Sequence, residues 1–337
     1  KDILENIKYS NENDGYTNYI IKNIYPKSKG YAKFSGQEMI VVYDEQGKLL
    51  SDVKTRKIGL LNPENKRFSF DFWLKVDANN FVNNQMVFNK INIASVNSQN
   101  VIDNGYLCYI TEDVSDNSMC YLNFTVYIDK QWTSSNFKIK KDIFQHIAIN
   151  VYNSNNNKKI DFIYNGNIVE SSNILSTGSI QAKSFNDSFK NKDIPFVVGN
   201  TFIITESGVL NTIRHNGQQL VGFIGSIDEF RLFYKTRSYK AIKKDMHKNI
   251  NAQKFLQLYL RFNEPAGDYT NSFLNIDYSG NKLHGIYYQI NSGIQIIQDT
   301  TNYKVNSDTP LRLERLEDSP VLNSSYTEII NIRERLV

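Results

Sequence analysis

A polar stretch around one tryptophan contains the residues best suited to hold a sugar. Trp132 lies in the polar, turn-like sequence YIDKQWTSSN, which also contains Asp129 and ends at Asn136. An indole ring can stack on a sugar face, while carboxylate and amide groups bind the hydroxyls. A tryptophan that only covers an edge of the fold would give the same sequence. We take Trp132, Asp129 and Asn136 as candidate ligand-binding residues.

Carboxylates and histidines are not spaced for catalysis. Retaining glycosidases hold two carboxylates about 5 Å apart across the bond that they break. Asp228 and Glu229 are adjacent, so a regular strand directs them to opposite faces; we expect Asp228 to bond to backbone and Glu229 to pair with a basic residue. His146, on an apolar strand, is predicted to be packed and hydrogen-bonded. Serine-nucleophile and phosphate-loop motifs are also missing, so the sequence predicts no catalytic residues and no enzyme.

Metal-site spacing is equally lacking among the histidines and cysteines, and we predict no cofactor. The acidic stretch Glu112–Asp116 offers oxygen atoms that suit calcium, so calcium binding is left as an alternative and the metal ligands are unknown. Cys108 and Cys120 are the only cysteines. They form either one disulfide or two free thiols, and we favour free buried thiols.

Composition is that of an ordinary globular protein. Apolar residues make up 40% of the 337 residues, enough to build a sizeable core. The 39 basic and 35 acidic residues are spread along the chain, so we predict no nucleic-acid partner and attribute the net charge of +4 to solubility. No apolar run approaches the ~20 residues of a membrane helix, and the first residues lack a basic-then-apolar leader. We therefore predict no membrane span.

Short runs of β-branched and aromatic residues between Asn, Asp, Ser and Gly predict an all-β fold. Period-two alternation in Phe68–Val76 puts Trp73 off the main apolar face, which is compatible with a sandwich if a loop or terminal segment covers the outer face. Asn165-Gly166 predicts a two-residue hairpin turn. Strands are predicted at Tyr31–Ser35, Met39–Tyr43, Phe68–Val76, Gln85–Ser95, Gly105–Thr111, Cys120–Ile128, Gln145–Tyr152, Lys159–Asn165, Pro195–Asn200 and Phe223–Tyr234.

The chain changes character after the last of these strands. Tyr239, Ile242, Met246 and Ile250 fit a short amphipathic helix near 238–250, capped by Ser238. A partly β C-terminal appendage follows. We divide the chain into a connecting segment at 1–30, a β-sandwich at 31–250, strands of a second or closing β unit at 255–298, and a linker or tail at 299–337.

Five segments, in order, carry a family resemblance: FSFDFWLKV, FQHIAINVY, IDFIYNGNIVESSN, IPFVVGN and FIGSIDEFRLFYKTRS. Together they resemble the concanavalin A-like lectin/glucanase superfamily in its laminin-G-like branch, over residues 31–248. The resemblance implies a two-sheet antiparallel jelly-roll sandwich. Phe144 stands where the family often has tryptophan, a difference in packing only. The matching residues are Trp73, His146, Asn165, Gly166, Gly199, Gly225, Asp228, Glu229 and Arg231.

Two functions follow as expectations. DSPVLNSSY near the C-terminus is similar to a linker in structural proteins of large tailed bacteriophages, which favours a non-catalytic structural module of a virion tail or baseplate, or of an extracellular assembly. Its partners would be other structural proteins. The alternative is a carbohydrate-binding module that recognises a host or cell surface, with surface glycans as partners. Both place the chain in a virion or outside the cell, and a glycosidase with a drifted motif or a toxin-like receptor-binding half is less favoured.

Overall fold

The computed structural model describes residues 7–9, 19–21, 30–42, 67–96, 99–128, 131–154, 157–169, 172–177, 195–201, 213–215, 217–264, 267–269, 274–289 and 294–298. Its strands are β1 (Ile7–Tyr9), β2 (Tyr19–Ile21), β3 (Gly30–Ser35), β4 (Glu38–Val42), β5 (Phe68–Val76), β6 (Gln85–Val96), β7 (Gln99–Glu112), β8 (Met119–Ile128), β9 (Gln131–Lys140), β10 (Gln145–Ser154), β11 (Asn157–Tyr164), β12 (Asn167–Val169), β13 (Ser172–Thr177), β14 (Phe196–Val198), β15 (Ile213–His215), β16 (Gln218–Gly222), β17 (Ile224–Phe233), β18 (Leu256–Leu260), β19 (Gly267–Tyr269), β20 (Leu274–Asn275), β21 (Gly285–Gln289) and β22 (Ile294–Gln298). One helix, α1, spans Tyr239–Asp245.

Two large sheets form the sandwich that the sequence predicts. Sheet 1 has the strand order β12-β11-β10-β5-β17-β3-β22-β19, and β18 also pairs with β17. Sheet 2 runs β13-β9-β8-β7-β15-β16-β6-β14-β4-β21-β20. Pairing is antiparallel except where β15 meets β7 and β16 meets β6. The predicted all-β, two-sheet jelly-roll architecture is confirmed.

The core lies between the sheets and is rich in phenylalanine. Alternate residues of β5, from Phe68 to Val76, point into it and are fully buried. The ring of Phe70 lies 4.7 Å from that of Phe88 in sheet 2 and 6.0 Å from that of Phe230 in sheet 1, centroid to centroid. Because aromatic side chains bury large areas, this cluster dominates the contact between the sheets.

A covering segment lies on the outer face of sheet 1 and accounts for the position of Trp73. We call residues Tyr234–Phe255 the cover segment. Trp73 is buried, and its indole N–H donates to the Met246 carbonyl at 2.8 Å. Within the segment, α1 begins where the Ser238 side chain accepts a hydrogen bond from the Ala241 N–H, and Ile242 packs on β10 and β11. The predicted short helix and its cap at Ser238 are confirmed, but the helix ends at Asp245, before Ile250, and Tyr239 is exposed.

Strands after the cover segment join the same two sheets. β18 pairs with β17 and β22 with β3 in sheet 1, whereas β21 pairs with β4 in sheet 2. The apolar residues of β18, Leu258 and Leu260, are part of the main core. The limits of the domains proposed from the sequence stay a prediction, and the predicted tail at 299–337 lies outside the described residues.

The two cysteines are free and buried, which agrees with the favoured prediction. They lie on neighbouring strands but out of register, since Cys108 is opposite Phe124 and Cys120 is opposite Glu112. An offset of four residues along a strand is about 13 Å, well beyond the reach of a disulfide. Burial raises the pKa of the Cys108 thiol, so the thiol is an unreactive core group.

Gly199 occupies a position that no other residue fits. Its φ is +91°, and a Cβ there would lie 2.3 Å from Cε1 of Phe34. We expect Gly199→Ala to lower the free energy of unfolding by about 2 kcal/mol or more, from left-handed strain together with overpacking. Gly217→Ala is the control, because Gly217 has φ +78° and open space around it. Urea unfolding of both variants measures the difference; equal losses would show that the contact with Phe34 costs nothing.

No helix in the described part of the chain is long and apolar enough to cross a membrane.

Candidate functional site

The motif residues of β17 build a buried charge network rather than a reactive site. Both arginines of the network reach Asp71 on β5: Arg231 Nη1 donates to one carboxylate oxygen at 3.2 Å and Arg237 Nη1 to the other at 2.6 Å. Arg231 also donates to the Glu229 carboxylate at 2.7 Å. Burial acts to raise the pKa of Asp71, but the two guanidinium groups hold it well below its ordinary value. The network joins sheet 1 to the cover segment.

The prediction that the Asp228 and Glu229 side chains alternate as in a regular strand is wrong. A bulge interrupts the pairing of β17 with β5 between Asp228 and Arg231, and Glu229 adopts a φ of +50°. Its carboxylate therefore joins Arg231 on the covered face, where it also accepts a hydrogen bond from the Tyr259 hydroxyl. The expected partners are confirmed, since Asp228 accepts from the Glu229 N–H at 2.8 Å and Glu229 pairs with a basic residue.

His146 is buried and packed in this network, as predicted, but its Nδ1 has no hydrogen-bond partner among the described residues, so the predicted hydrogen bonding is not shown. Its Nε2 lies 3.8 Å from an Asp71 oxygen, and its ring packs edge-on against Trp73. Burial lowers the pKa of His146, so the ring is held neutral.

The stretch around Trp132 is a strand and not a turn. β9 pairs with β8 on one side and β13 on the other, and Trp132 is opposite Tyr127 and Thr177. Sequence reasoning missed this strand because its first half is polar and only Phe137 and Ile139 alternate into the core. Asp129 and the Trp132 side chain lie outside the described residues. The three candidate ligand residues stay a prediction.

Asn136 belongs to a set of polar side chains on the outer face of sheet 2, which we call the tyrosine–amide row. The row crosses three neighbouring strands, where register places Tyr109 opposite Asn123 and Asn123 opposite Asn136. Its residues alternate with core residues and therefore face outward. The members are Tyr109, Thr111, Tyr121, Asn123, Asn136 and Lys138.

Hydrogen bonds hold the amides of the row in place. The Asn123 side-chain amide donates from Nδ2 to the Thr111 hydroxyl at 2.9 Å. The Asn136 side-chain amide donates from Nδ2 to the side-chain oxygen Oδ1 of Asn123 at 3.3 Å. Tyr121 and Asn136 are partly exposed, whereas Asn123 is buried. The result is a pre-organised set of donors and acceptors beside a tyrosine ring, which is the kind of surface that hydroxyl-rich ligands need.

Lys138 closes one end of the row. Its ammonium lies 5.2 Å from the centre of the Tyr121 ring and 2.7 Å from an Asp113 oxygen. Hydrogen bonds from Lys138 and Ser115 lower the pKa of Asp113 to about 2. Asp116, in the same acidic stretch, accepts from the Ser118 hydroxyl at 2.6 Å. These carboxylates are thus bonded to neighbouring groups of the protein.

Among the described residues, no group of three or more His, Cys, Asp or Glu side chains is arranged to hold a metal. Calcium at Glu112–Asp116 stays a prediction from the sequence.

Comparison with solved structures yields one informative likeness. A candidate carbohydrate-binding protein from Bacteroides ovatus is similar with a TM-score of 0.50 and 17% identity, over 83% of this chain. The chain is a jelly-roll β-sandwich. It spans 63% of the length of that Bacteroides protein, and at this identity the likeness concerns the fold alone. A pentraxin from Limulus polyphemus, at 10% identity, and the sialidase module CBM40 from Ruminococcus gnavus, at 12%, are more distant, with TM-scores of 0.36 and 0.33. The pentraxin match covers 65% of this chain and 82% of the pentraxin, and the CBM40 match 64% and 96%.

No protein-family model and no curated protein sequence matches the chain. The laminin-G-like resemblance therefore stays a prediction.

Proposed function

We propose that the chain is a non-catalytic carbohydrate-binding module of a surface-recognition protein. The tyrosine–amide row carries this proposal, because it combines an aromatic ring with fixed amide and hydroxyl groups on one sheet face. The fold-level likeness to a candidate carbohydrate-binding protein supports the same function. Glycan binding is thus better supported than the structural role in a virion, which rests on the short DSPVLNSSY stretch alone.

A sugar ring would stack on Tyr121 and bond to Asn136. Both side chains are partly exposed, so neither has to move from the core to meet a ligand. Asn123, behind them, holds Asn136 through the 3.3 Å hydrogen bond and so limits its rotation. Fixed polar groups lower the entropy cost of binding. Trp132, four residues before Asn136 on β9, stays a candidate ligand residue from the sequence.

The non-catalytic part of the proposal rests on the surroundings of three carboxylates. Glu229 and Asp71 are buried and bonded to arginines, and Asp113 is bonded to Lys138. A general acid needs a raised pKa near the bond that is cleaved. The lowered pKa of Asp71 and Asp113 is the reverse of that requirement.

A glycan array of uncharged and sialylated saccharides tests the proposal. Wild type should bind at least one class of saccharide, and Tyr121→Ala should lose about tenfold or more in affinity because it removes the stacking surface. Asn136→Ala and Trp132→Ala should weaken the same ligand. The matched control is Tyr152→Ala, which removes a partly exposed tyrosine from sheet 1. Absence of binding, or equal loss in the control, would refute the assignment, and release of free sugar would refute its non-catalytic part.

A further inference from the structure

The cover segment concentrates positive charge that the sequence shows only as scattered lysines. Between Tyr234 and Phe255 there are six lysines and one arginine, against the single acidic residue Asp245. Arg237 is buried and bonded to Asp71 and Asp245, so this pair is used within the fold. The exposed lysines form what we call the lysine ridge: Lys235, Lys240, Lys243, Lys244 and Lys254. This ridge lies on the outer face of sheet 1, on the other side of the sandwich from the tyrosine–amide row.

The fold directs the helical lysines away from the protein. Ile242 is buried against β10 and β11, which sets the rotation of α1. Lys240, Lys243 and Lys244 are consequently exposed. Lys248 is half-buried, and burial lowers its pKa; the charge of Lys244 acts in the same direction and that of Asp245 opposes it. Like charges on one segment repel each other, and a bound polyanion would relieve the repulsion.

Phe255 adds an aromatic ring to the ridge. It is 40% exposed and adopts a φ of +96°, an unfavourable backbone conformation for a bulky residue. The ammonium groups of Lys235 and Lys254 lie 5.0 Å and 5.3 Å from the centre of its ring. An exposed aromatic ring beside two lysines offers apolar contact to a sugar while the lysines bind its acidic substituents.

We propose that the lysine ridge binds an anionic polysaccharide that carries sulfate or carboxylate groups. A membrane is less suitable, since α1 buries its apolar face in the protein and has no apolar stripe left to insert. Nucleic acid is also less suitable, because the ridge's exposed cations are lysines, whereas the bidentate arginine of the segment is buried. This proposal concerns another sheet and does not depend on the tyrosine–amide row.

The test is the affinity of the full chain for immobilised heparin and polygalacturonate, with dextran as the uncharged comparison. We expect binding to both acidic polysaccharides, weakened by salt, and none to dextran. The triple variant K240Q/K243Q/K244Q should bind about tenfold or more weakly and with a smaller salt dependence. Phe255→Ala should weaken binding without changing the salt dependence.

The control triple variant K33Q/K140Q/K282Q removes the same charge from exposed positions outside the ridge. It should keep most of the affinity, and an equal loss would show that only net charge matters and would overturn the proposal. Tighter binding to duplex DNA or to phosphatidylserine vesicles than to either polysaccharide would also overturn it, as would no binding. The two proposed sites can fail independently. Tyr121→Ala should leave heparin binding unchanged, and the triple lysine variant of the ridge should leave the binding of uncharged glycans unchanged.

Discussion

Replacing Asp71 with asparagine is expected to lower the free energy of unfolding by about 3–5 kcal/mol, because the change leaves two buried arginines without their shared anion. Arg231 is fully buried and Arg237 nearly so, and both donate to this carboxylate. An asparagine has the same shape but offers one carbonyl oxygen and no charge. Urea unfolding monitored by the fluorescence of Trp73 and Trp132 measures the loss.

The pH dependence of the free energy of unfolding provides a second test of the role of Asp71. The folded-state pKa of Asp71 is depressed, so its stabilising contribution is complete above the unfolded pKa of about 4 and is lost as the pH falls below that value. The difference between wild type and Asp71→Asn should shrink in that range. Asp161→Asn is the control, since Asp161 is partly exposed and accepts one hydrogen bond from Tyr152. A loss below about 1 kcal/mol for Asp71→Asn, as expected for a surface pair, would contradict the network.

Sequence reasoning succeeded where one physical signal dominates a segment. Alternation in β5 predicted the buried phenylalanines and the position of Trp73 on the other face, but the segment that covers this face was only allowed for. The Asn165-Gly166 turn joins β11 to β12 as predicted, because this pair readily adopts positive φ. The capped helix followed from the spacing of Ile242 and Met246.

Sequence reasoning failed where tertiary contacts override the local pattern. β9 was missed because its first half is polar and only Phe137 and Ile139 alternate into the core. The bulge at Glu229 was missed because nothing in the local alternation marks it; it is stabilised by Arg231 and Tyr259 from other positions. The lysine ridge was visible in KAIKKDMHK as a basic run, but its exposure depends on α1 burying Ile242. The prediction that the basic residues are spread along the chain missed this surface.

Phe70→Ala should lower the free energy of unfolding by as much as Asp71→Asn. The two residues are neighbours on β5, but Phe70 lies in the apolar core and Asp71 lies in the charge network. The Phe70 ring is fully buried among Phe88, Phe124, Phe196 and Phe230. Removal of a buried phenylalanine ring costs about 3–5 kcal/mol through lost burial and the cavity that remains. Urea unfolding measures the decrease.

Two further variants separate cavity formation from general intolerance of β5. Phe70→Leu retains most of the volume and should cost less than about 1.5 kcal/mol. Phe255→Ala removes an exposed phenylalanine and should change the free energy of unfolding by less than about 1 kcal/mol. If Phe70→Leu were as damaging as Phe70→Ala, ring-to-ring contacts rather than filled volume would hold the sheets together. If neither were damaging, the sandwich would be held chiefly by strand pairing and by the charge network around Asp71, and β5 would matter through its outer face.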